Sequence, residues 1–210
     1  MILYLIRHGE SAHNAAGRIQ GQSDPPLSPL GLRQAAALAG ALQDLPIEAV
    51  YSSPLQRAWD TARPLAEKLN LEVRPSNALM ELHAGVFQGL TWEEVRRDHA
   101  EAAERWAGPD ADYRIPGGET RRELMARGRA ALEEIRAGGH REAAIVAHGG
   151  ILAAALKSLL GIPAELNPFS FYNASVSKLA WAGAVKLLTL NEIAHLRNAS
   201  GQHDTRSGDL

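Results

Sequence analysis

The stretch Ile2-Leu3-Tyr4-Leu5-Ile6-Arg7-His8-Gly9 carries an apolar run into a cation, an imidazole and a glycine. Its apolar part has the pattern of a strand buried in a parallel sheet. Open α/β sheets bind ligands just beyond the carboxyl ends of their strands. The stretch therefore predicts a positive charge and a potential nucleophile at a ligand-binding edge. Glu10, Ser11 and Asn14 follow closely. A second run, Ala143-Ala144-Ile145-Val146-Ala147, ends in the same way at His148-Gly149-Gly150. Two strand-end histidines far apart in sequence predict one shared pocket.

Working outward, helical and strand patterns alternate, which predicts a three-layer α/β/α sandwich. Its central sheet should be mostly parallel, with about six strands and one antiparallel strand. Ser28-Pro29 reads as a helix start, and Ala35, Leu38, Ala39 and Leu42 supply its apolar face. Ala49-Val50-Tyr51-Ser52 reads as a short strand, with Ser53-Pro54 capping the next helix. Glu72-Val73-Arg74 reads as an edge strand ending at Pro75. Thr91-Trp92-Glu93-Glu94 and Thr120-Arg121-Arg122-Glu123 match the capping box. They start helices towards Trp106 and Ala137. The Gly-, Pro- and Asp-rich segment Gly108 to Gly118 reads as a surface loop. A helix follows Gly150 and stops near Gly161. Val176–Trp181 and Val185–Leu190 flank Gly183 as an antiparallel hairpin. Residues 1–197 read as a single domain with a lid over about 83–116, and 198–210 as a disordered tail.

The 210 residues carry 22 Lys and Arg against 24 Asp and Glu, a net charge of −2. This balance argues against nucleic acid or an acidic membrane as partner, so phosphate affinity must come from a local cluster. The absence of cysteine excludes disulfides and thiolate chemistry. The first apolar run is too short for a signal peptide, and the run from Gly149 is broken at Lys157, too early to span a bilayer. These features predict a cytoplasmic protein.

Arg57 falls in the first turn of the helix after Ser52, and Glu81 falls in a loop after another strand. If the strands are neighbours, Arg7, His8, Asn14, Arg57, Glu81 and His148 converge. Two guanidiniums offer planar forks matched to phosphate oxygens. Helix N-termini after His8, Ser53 and Gly149 add N–H donors. Such a set suits a phosphoryl group and calls for no metal.

In the order in which its motifs fall, the chain resembles the histidine phosphatase superfamily, in the branch of cofactor-dependent phosphoglycerate mutases and related phosphatases. The matching segments are Arg7-His8-Gly9-Glu10 with Asn14, Gln20-Gly21 through Ser28, and Gly31 with Gln34-Ala35. Ser52-Ser53-Pro54 with Arg57, Glu81 through Gly85, Pro116 through Thr120, Val146 through Gly150, and Asn173 complete them. The resemblance implies that His8 attacks phosphorus to form a phosphohistidine, which splits one displacement into two. It gives Arg7, Arg57 and His148 the phosphoryl oxygens, and Glu81 the role of proton donor and then base. Neighbouring Arg7 and Arg57 should keep His8 neutral, and a backbone carbonyl should fix its tautomer. A bound phosphate dianion should favour protonated Glu81. Asn14, Gln20, Gly21 and Gly149 are expected as further phosphate or substrate contacts.

The resemblance leaves phosphatase and mutase to be separated. In the glycolytic mutases the loop glutamate is followed by an Arg and, two residues later, a Tyr; here Leu82 and Ala84 stand there. A tandem arginine after a tryptophan is replaced by Ala107-Gly108 after Trp106. Leu82, Val86, Phe87, Leu90 and Trp92 suggest an apolar entrance. The expected function is a metal-independent phosphomonoesterase acting on a small phosphorylated metabolite, with no cofactor. A phosphoglycerate mutase using 2,3-bisphosphoglycerate is the alternative, and an inactive phospho-ligand-binding module is less favoured because His8 and Glu81 are both present. A homodimer is consistent with the resemblance.

Other candidates have plainer readings. His83 reads as a packing neighbour, and His99, His140, His195 and His203 as solvated. His13 cannot pair with His8 on a metal across one helix. Trp92 and Trp106 read as lid packing, and Glu10 as an acid at a helix N-terminus. Asp24 reads as a turn acid and Asp60 as a helix-surface acid.

Overall fold

The computed structural model describes residues 1–197, so the expected tail at 198–210 and His203 lie outside the described residues. Six strands form one sheet: β1 (Ile2–Arg7), β2 (Ala49–Ser52), β3 (Val73–Pro75), β4 (Glu142–Ala147), β5 (Val176–Ala182) and β6 (Ala184–Glu192), in the order β3-β2-β4-β1-β5-β6. β1, β2, β3 and β4 pair in parallel, β5 runs against β1, and β6 turns back against β5. One strand is thus reversed, as the sequence predicts. β3 is an edge strand, where its Pro75 removes no needed ladder donor.

Helices cover both faces. Along β1 and β4, Leu3, Leu5, Ala143, Ile145 and Ala147 enter one core, while Tyr4, Ile6, Ala144 and Val146 enter the other. This two-residue alternation is what a sheet buried on both faces requires. The second core holds α2 (Pro29–Leu42) and α3 (Gln56–Leu69). The first holds α4 (Trp92–Asp98), α5 (Ala100–Ala107), α6 (Arg121–Ala137) and α7 (Gly149–Leu160). A single turn, α1 (Ala12–Ala15), follows β1. None of the described helices is long and apolar enough to cross a membrane.

Helix ends follow the expected chemistry with instructive exceptions. Ser28 caps α2 through the Gly31 amide, and both capping boxes form at Thr91 and Thr120. Ser53 does not cap α3. That helix starts at Gln56, whose amide donates to Asp24 Oδ1 at 2.6 Å, so a residue from a distant turn caps it. The expected helix towards Trp106 is two helices, interrupted at His99, whose φ of −137° and ψ of 42° leave the helical region. The expected surface loop before Gly118 is only half solvated: Ala111, Tyr113 and Ile115 are buried and their neighbours exposed.

Gly9 and Gly31 bring two backbones into contact beneath the site. A Cβ on Gly31 would lie 2.0 Å from the Glu10 carbonyl oxygen, and one on Gly9 would lie 2.7 Å from the Gly31 oxygen. Neither carbonyl can swing away as a side chain can. Gly31→Ala should therefore cost about 1–3 kcal/mol of stability by overpacking, seen as a lower urea midpoint. An unchanged midpoint would show that the backbone yields freely there.

Candidate active site

Register explains the meeting of the two histidines. β1 and β4 are parallel neighbours with Arg7 opposite Ala147, so His8 and His148 leave the sheet side by side. Helix α2 after β1 and helix α7 after β4 lie on opposite faces, which makes this a topological switch point. The rings stand 5.1 Å apart between centroids at 61°. Both histidines are fully buried.

The His8 backbone is held from both sides. Its amide donates to the Ala147 carbonyl at 2.9 Å, and its carbonyl accepts from the Ala174 amide and Asn173 Nδ2 at 3.0 and 3.1 Å. Ala174 takes a positive φ of 54° to make that contact, a strained conformation that the surrounding bonds enforce. His8 Nδ1 lies 2.6 Å from the Gly9 carbonyl oxygen. A carbonyl only accepts, so Nδ1 carries the proton and Nε2 keeps its lone pair. Among the described residues nothing hydrogen-bonds to Nε2. His148 Nε2 pairs with Ser53 Oγ at 2.8 Å, and His148 Nδ1 likewise has no partner.

Cations surround this pair. Arg7 Nη1 donates to the Phe171 carbonyl, and Arg57 donates to the Ser23 and Gly21 carbonyls. Thr61 ties Arg57 to the histidine loop: its hydroxyl donates to the Arg57 carbonyl and accepts from the Gly9 amide. Both arginines are almost fully buried. Burial, then Arg57 and Arg7, holds the His8 imidazolium pKa well below its ordinary 6.5. Burial and Arg57, followed by His8 and Arg7, do the same for His148. The arginines act as the sequence suggests, with burial the larger influence.

Stability should follow from these shifts. Above pH 6.5 both imidazoles are neutral folded or unfolded, so they contribute no pH dependence. Below it the unfolded chain takes up protons that the folded chain refuses, and stability falls as pH falls. Each histidine should contribute a slope of about 1.4 kcal/mol per pH unit in that window. Urea midpoints measured from pH 7 to pH 5, in wild type and His148→Gln, should show a shallower fall in the variant. Identical slopes would contradict the shift.

Glu81 sits in the loop after a short helical turn at Asn77–Leu79. Its carboxylate accepts from the Leu82 amide at 2.7 Å and from the Gly150 and Ile151 amides at 2.9 and 3.0 Å. The last two open α7, where the helix dipole favours an anion. A Cβ on Gly150 would lie 2.5 Å from Glu81 Oε1, so glycine permits this approach. Arg127 braces the loop from below, donating to the Ala78, Met80 and Glu81 carbonyls and pairing with Glu119 at 2.8 Å.

The remaining expected residues also converge. Asn14 Oδ1 accepts from Asn173 Nδ2, and Gln20 Oε1 accepts from Ser11 Oγ, while Asn14 Nδ2 and Gln20 Nε2 have no hydrogen-bond partner among the described residues. Gly21 and Gly149 line a cleft of about 480 Å³ with Glu81 and Gly150. Of the five residues expected at an apolar entrance, Leu82 and Trp92 line it. Phe87 is instead fully buried against Trp92 and His99, and Val86 faces solvent. His99, His140 and His195 are half-buried rather than solvated, with His140 beside Arg74 and His195 on the Ala174 carbonyl. Arg127 is a partner the sequence did not single out, and Ser53, read there as a helix cap, pairs instead with His148. Among the described residues no three His, Asp or Glu side chains are grouped to hold a metal ion.

With paired histidines, two buried arginines and a helix-anchored glutamate at one sheet edge, the chain belongs to branch 1 of the histidine phosphatase superfamily, whose family model matches residues 3–193. It is 37% identical over 213 residues to the glucosyl-3-phosphoglycerate phosphatase of Mycobacterium tuberculosis, covering 95% of each chain. A solved structure of the mycobacterial glucosyl-3-phosphoglycerate phosphatase with VO3 superposes with a TM-score of 0.82 at 36% identity, covering 90% of this chain and 98% of that one. Phosphoserine phosphatase 1 of Hydrogenobacter thermophilus is 34% identical over 197 residues, 92% and 93% of the two chains. A protein of Yersinia pestis named as a probable phosphoglycerate mutase is 37% identical over 166 residues, 78% and 76% of the two.

Proposed function

We propose that this chain is a phosphomonoesterase that hydrolyses a small phosphorylated metabolite through a phosphohistidine on His8. The observation that carries this reading is the buried His8 Nε2, neutral and without a hydrogen-bond partner among the described residues, in a ring 5.1 Å from that of His148 and influenced by Arg7 and Arg57. Buried nitrogens of this kind are ordinarily satisfied. A phosphoryl group would give it a partner.

In the first step the His8 Nε2 lone pair forms a bond to phosphorus while the ester P–O bond breaks. Glu81 gives its proton to the leaving oxygen, and the arriving dianion favours the protonated form of that carboxyl. Arg7, Arg57 and His148 take up charge on the phosphoryl oxygens. In the second step water attacks phosphorus, Glu81 accepts the water proton, and the P–N bond breaks to release phosphate and restore His8. Asn14, Gln20 and the amides of Gly21 and Gly149 supply donors around the group.

The relatives named as phosphatases support hydrolysis. The relative named as a mutase supports phosphoryl transfer as a second reading. Leu82 and Ala107, which line the cleft, favour hydrolysis, because those two positions offer no charge to retain a bisphosphate while it turns. Phosphate release from p-nitrophenyl phosphate in EDTA, and from 3-phosphoglycerate with and without 2,3-bisphosphoglycerate, separates the readings. Release that outpaces isomerisation supports the esterase. Isomerisation that outpaces release supports the mutase, and no release in EDTA overturns the metal-independent mechanism.

A further inference from the structure

One turn reaches three parts of the site. Gln20-Gly21-Gln22-Ser23 closes on itself, with the Ser23 amide and hydroxyl donating to the Gln20 carbonyl at 3.0 and 2.5 Å. Gln20 ties the turn to Ser11, its Oε1 accepting from Oγ at 2.6 Å. Arg57 grips the turn through Nη2 on the Gly21 carbonyl at 2.8 Å and Nη1 on the Ser23 carbonyl at 2.7 Å. Between those two carbonyls, Gln22 sends its side chain to the proton donor: Nε2 donates to the Glu81 carbonyl at 3.0 Å. A carbonyl only accepts, so the amide nitrogen is the atom that faces it.

The turn meets the Glu81 segment a second time. The Gln22 amide donates to Gln88 Oε1 at 2.8 Å, just after a helical turn at Gly85–Phe87. Gly21 has a φ of +52°, and a Cβ there would lie 2.5 Å from Gln88 Oε1 and 2.8 Å from the Ala84 Cβ. The two segments therefore sit in close contact at Gly21. Arg127 also donates to the Glu81 carbonyl, at 3.1 Å. It serves the Ala78 and Met80 carbonyls and Glu119 as well, so its removal would disturb the whole loop. Gln22 is half-buried, and it runs from the turn that Arg57 holds to the residue that carries the acid.

We propose that Gln22 is a positioning residue for the Glu81 proton donor, fixing the spacing between that carboxyl and a phosphoryl group held by Arg57. The proposal rests on the phosphatase reading and deepens its first step. A general acid works only within hydrogen-bond reach of the leaving oxygen. A backbone set slightly wrong at Glu81 weakens proton donation, while attack by His8 continues. No atom of Gln22 takes part in making or breaking a bond.

Gln22→Met keeps the length of the side chain and removes its N–H donor. The test measures kcat/KM for benzyl phosphate and p-nitrophenyl phosphate, two one-ring esters whose leaving groups do and do not need a proton. Benzyl phosphate should lose about 3- to 30-fold, less than the full worth of a general acid because Arg127 still holds the carbonyl. p-Nitrophenyl phosphate should change by about twofold or less. In a Glu81→Gln background the same substitution should cost benzyl phosphate almost nothing more, since both changes remove one function. Gln22→Asn, one methylene too short to reach the Glu81 carbonyl, should repeat the pattern. Equal losses for the two esters, or additive losses in the double variant, show a general packing role and overturn the proposal. Wild-type rates for both esters in both variants overturn it too. If no ester is hydrolysed, or His8→Ala matches wild type, the phosphatase reading itself has failed and takes the positioning role with it.

Discussion

His8→Ala should lower kcat by at least about 10⁴-fold, the scale on which a covalent nucleophile is missed. Among the described residues, His8 Nε2 is a buried neutral nitrogen whose ring and backbone are both held in place. The His148 ring is its neighbour, but that ring is held through Nε2 by Ser53. The His8 ring is held by the Gly9 carbonyl, and its backbone by Ala147, Asn173 and Ala174, so Nε2 is the atom those bonds aim. Stability should change much less than activity. Alanine removes a buried ring and its hydrogen bond, but it also removes an imidazole that resists protonation. A steady-state assay with p-nitrophenyl phosphate, beside a urea midpoint, checks both parts. Activity within about tenfold of wild type would show that phosphorus is not attacked by His8.

Glu81→Gln should lower kcat/KM for an alkyl phosphate by about 10²–10⁴-fold, the usual value of a positioned general acid. The loss should be much smaller for p-nitrophenyl phosphate, whose leaving group departs without a proton. Because kcat/KM reports phosphoryl transfer to His8 and not the later hydrolysis, this contrast isolates the first step. A stability cost should accompany it. Three amides donate to the carboxylate, and a glutamine would turn an N–H₂ towards one of them. Opposing two donors costs about 1–3 kcal/mol. Equal losses for the two esters would remove Glu81 from proton donation to the leaving group.

Much of this arrangement is legible in the chain, because strand ends and helix starts are written locally. The runs ending at Arg7 and Ala147 are buried strands, and Ser28, Thr91 and Thr120 announce their helices. Strand order is not local. The convergence of His8, His148 and Arg57 required β4 to lie between β2 and β1, which no periodicity states. Asp24 reads as a turn acid because its partner, the Gln56 amide, is 32 residues away. Arg127 shares a helix with Arg121, Arg122, Arg129 and Arg136, and nothing in their spacing marks the one that braces Glu81. Lys157 breaks the apolar run of α7, and only the turn at Ala164 to Leu166, folded over its ammonium, makes it a buried cation. The alternation Ala111, Tyr113, Ile115 was masked by the Gly, Pro and Asp residues around it. Phe87 reads as an entrance residue because an apolar residue near a site motif looks the same in sequence whether it faces substrate or core.

The most direct test is to mix the protein with a ³²P-labelled phosphate ester, quench within milliseconds, and digest it. Acid-labile, alkali-stable label should appear on the peptide containing His8, decay at the rate of turnover, and be absent from His8→Ala. Turnover that proceeds with no label on that peptide, or with label on another residue, would contradict a phosphohistidine at His8.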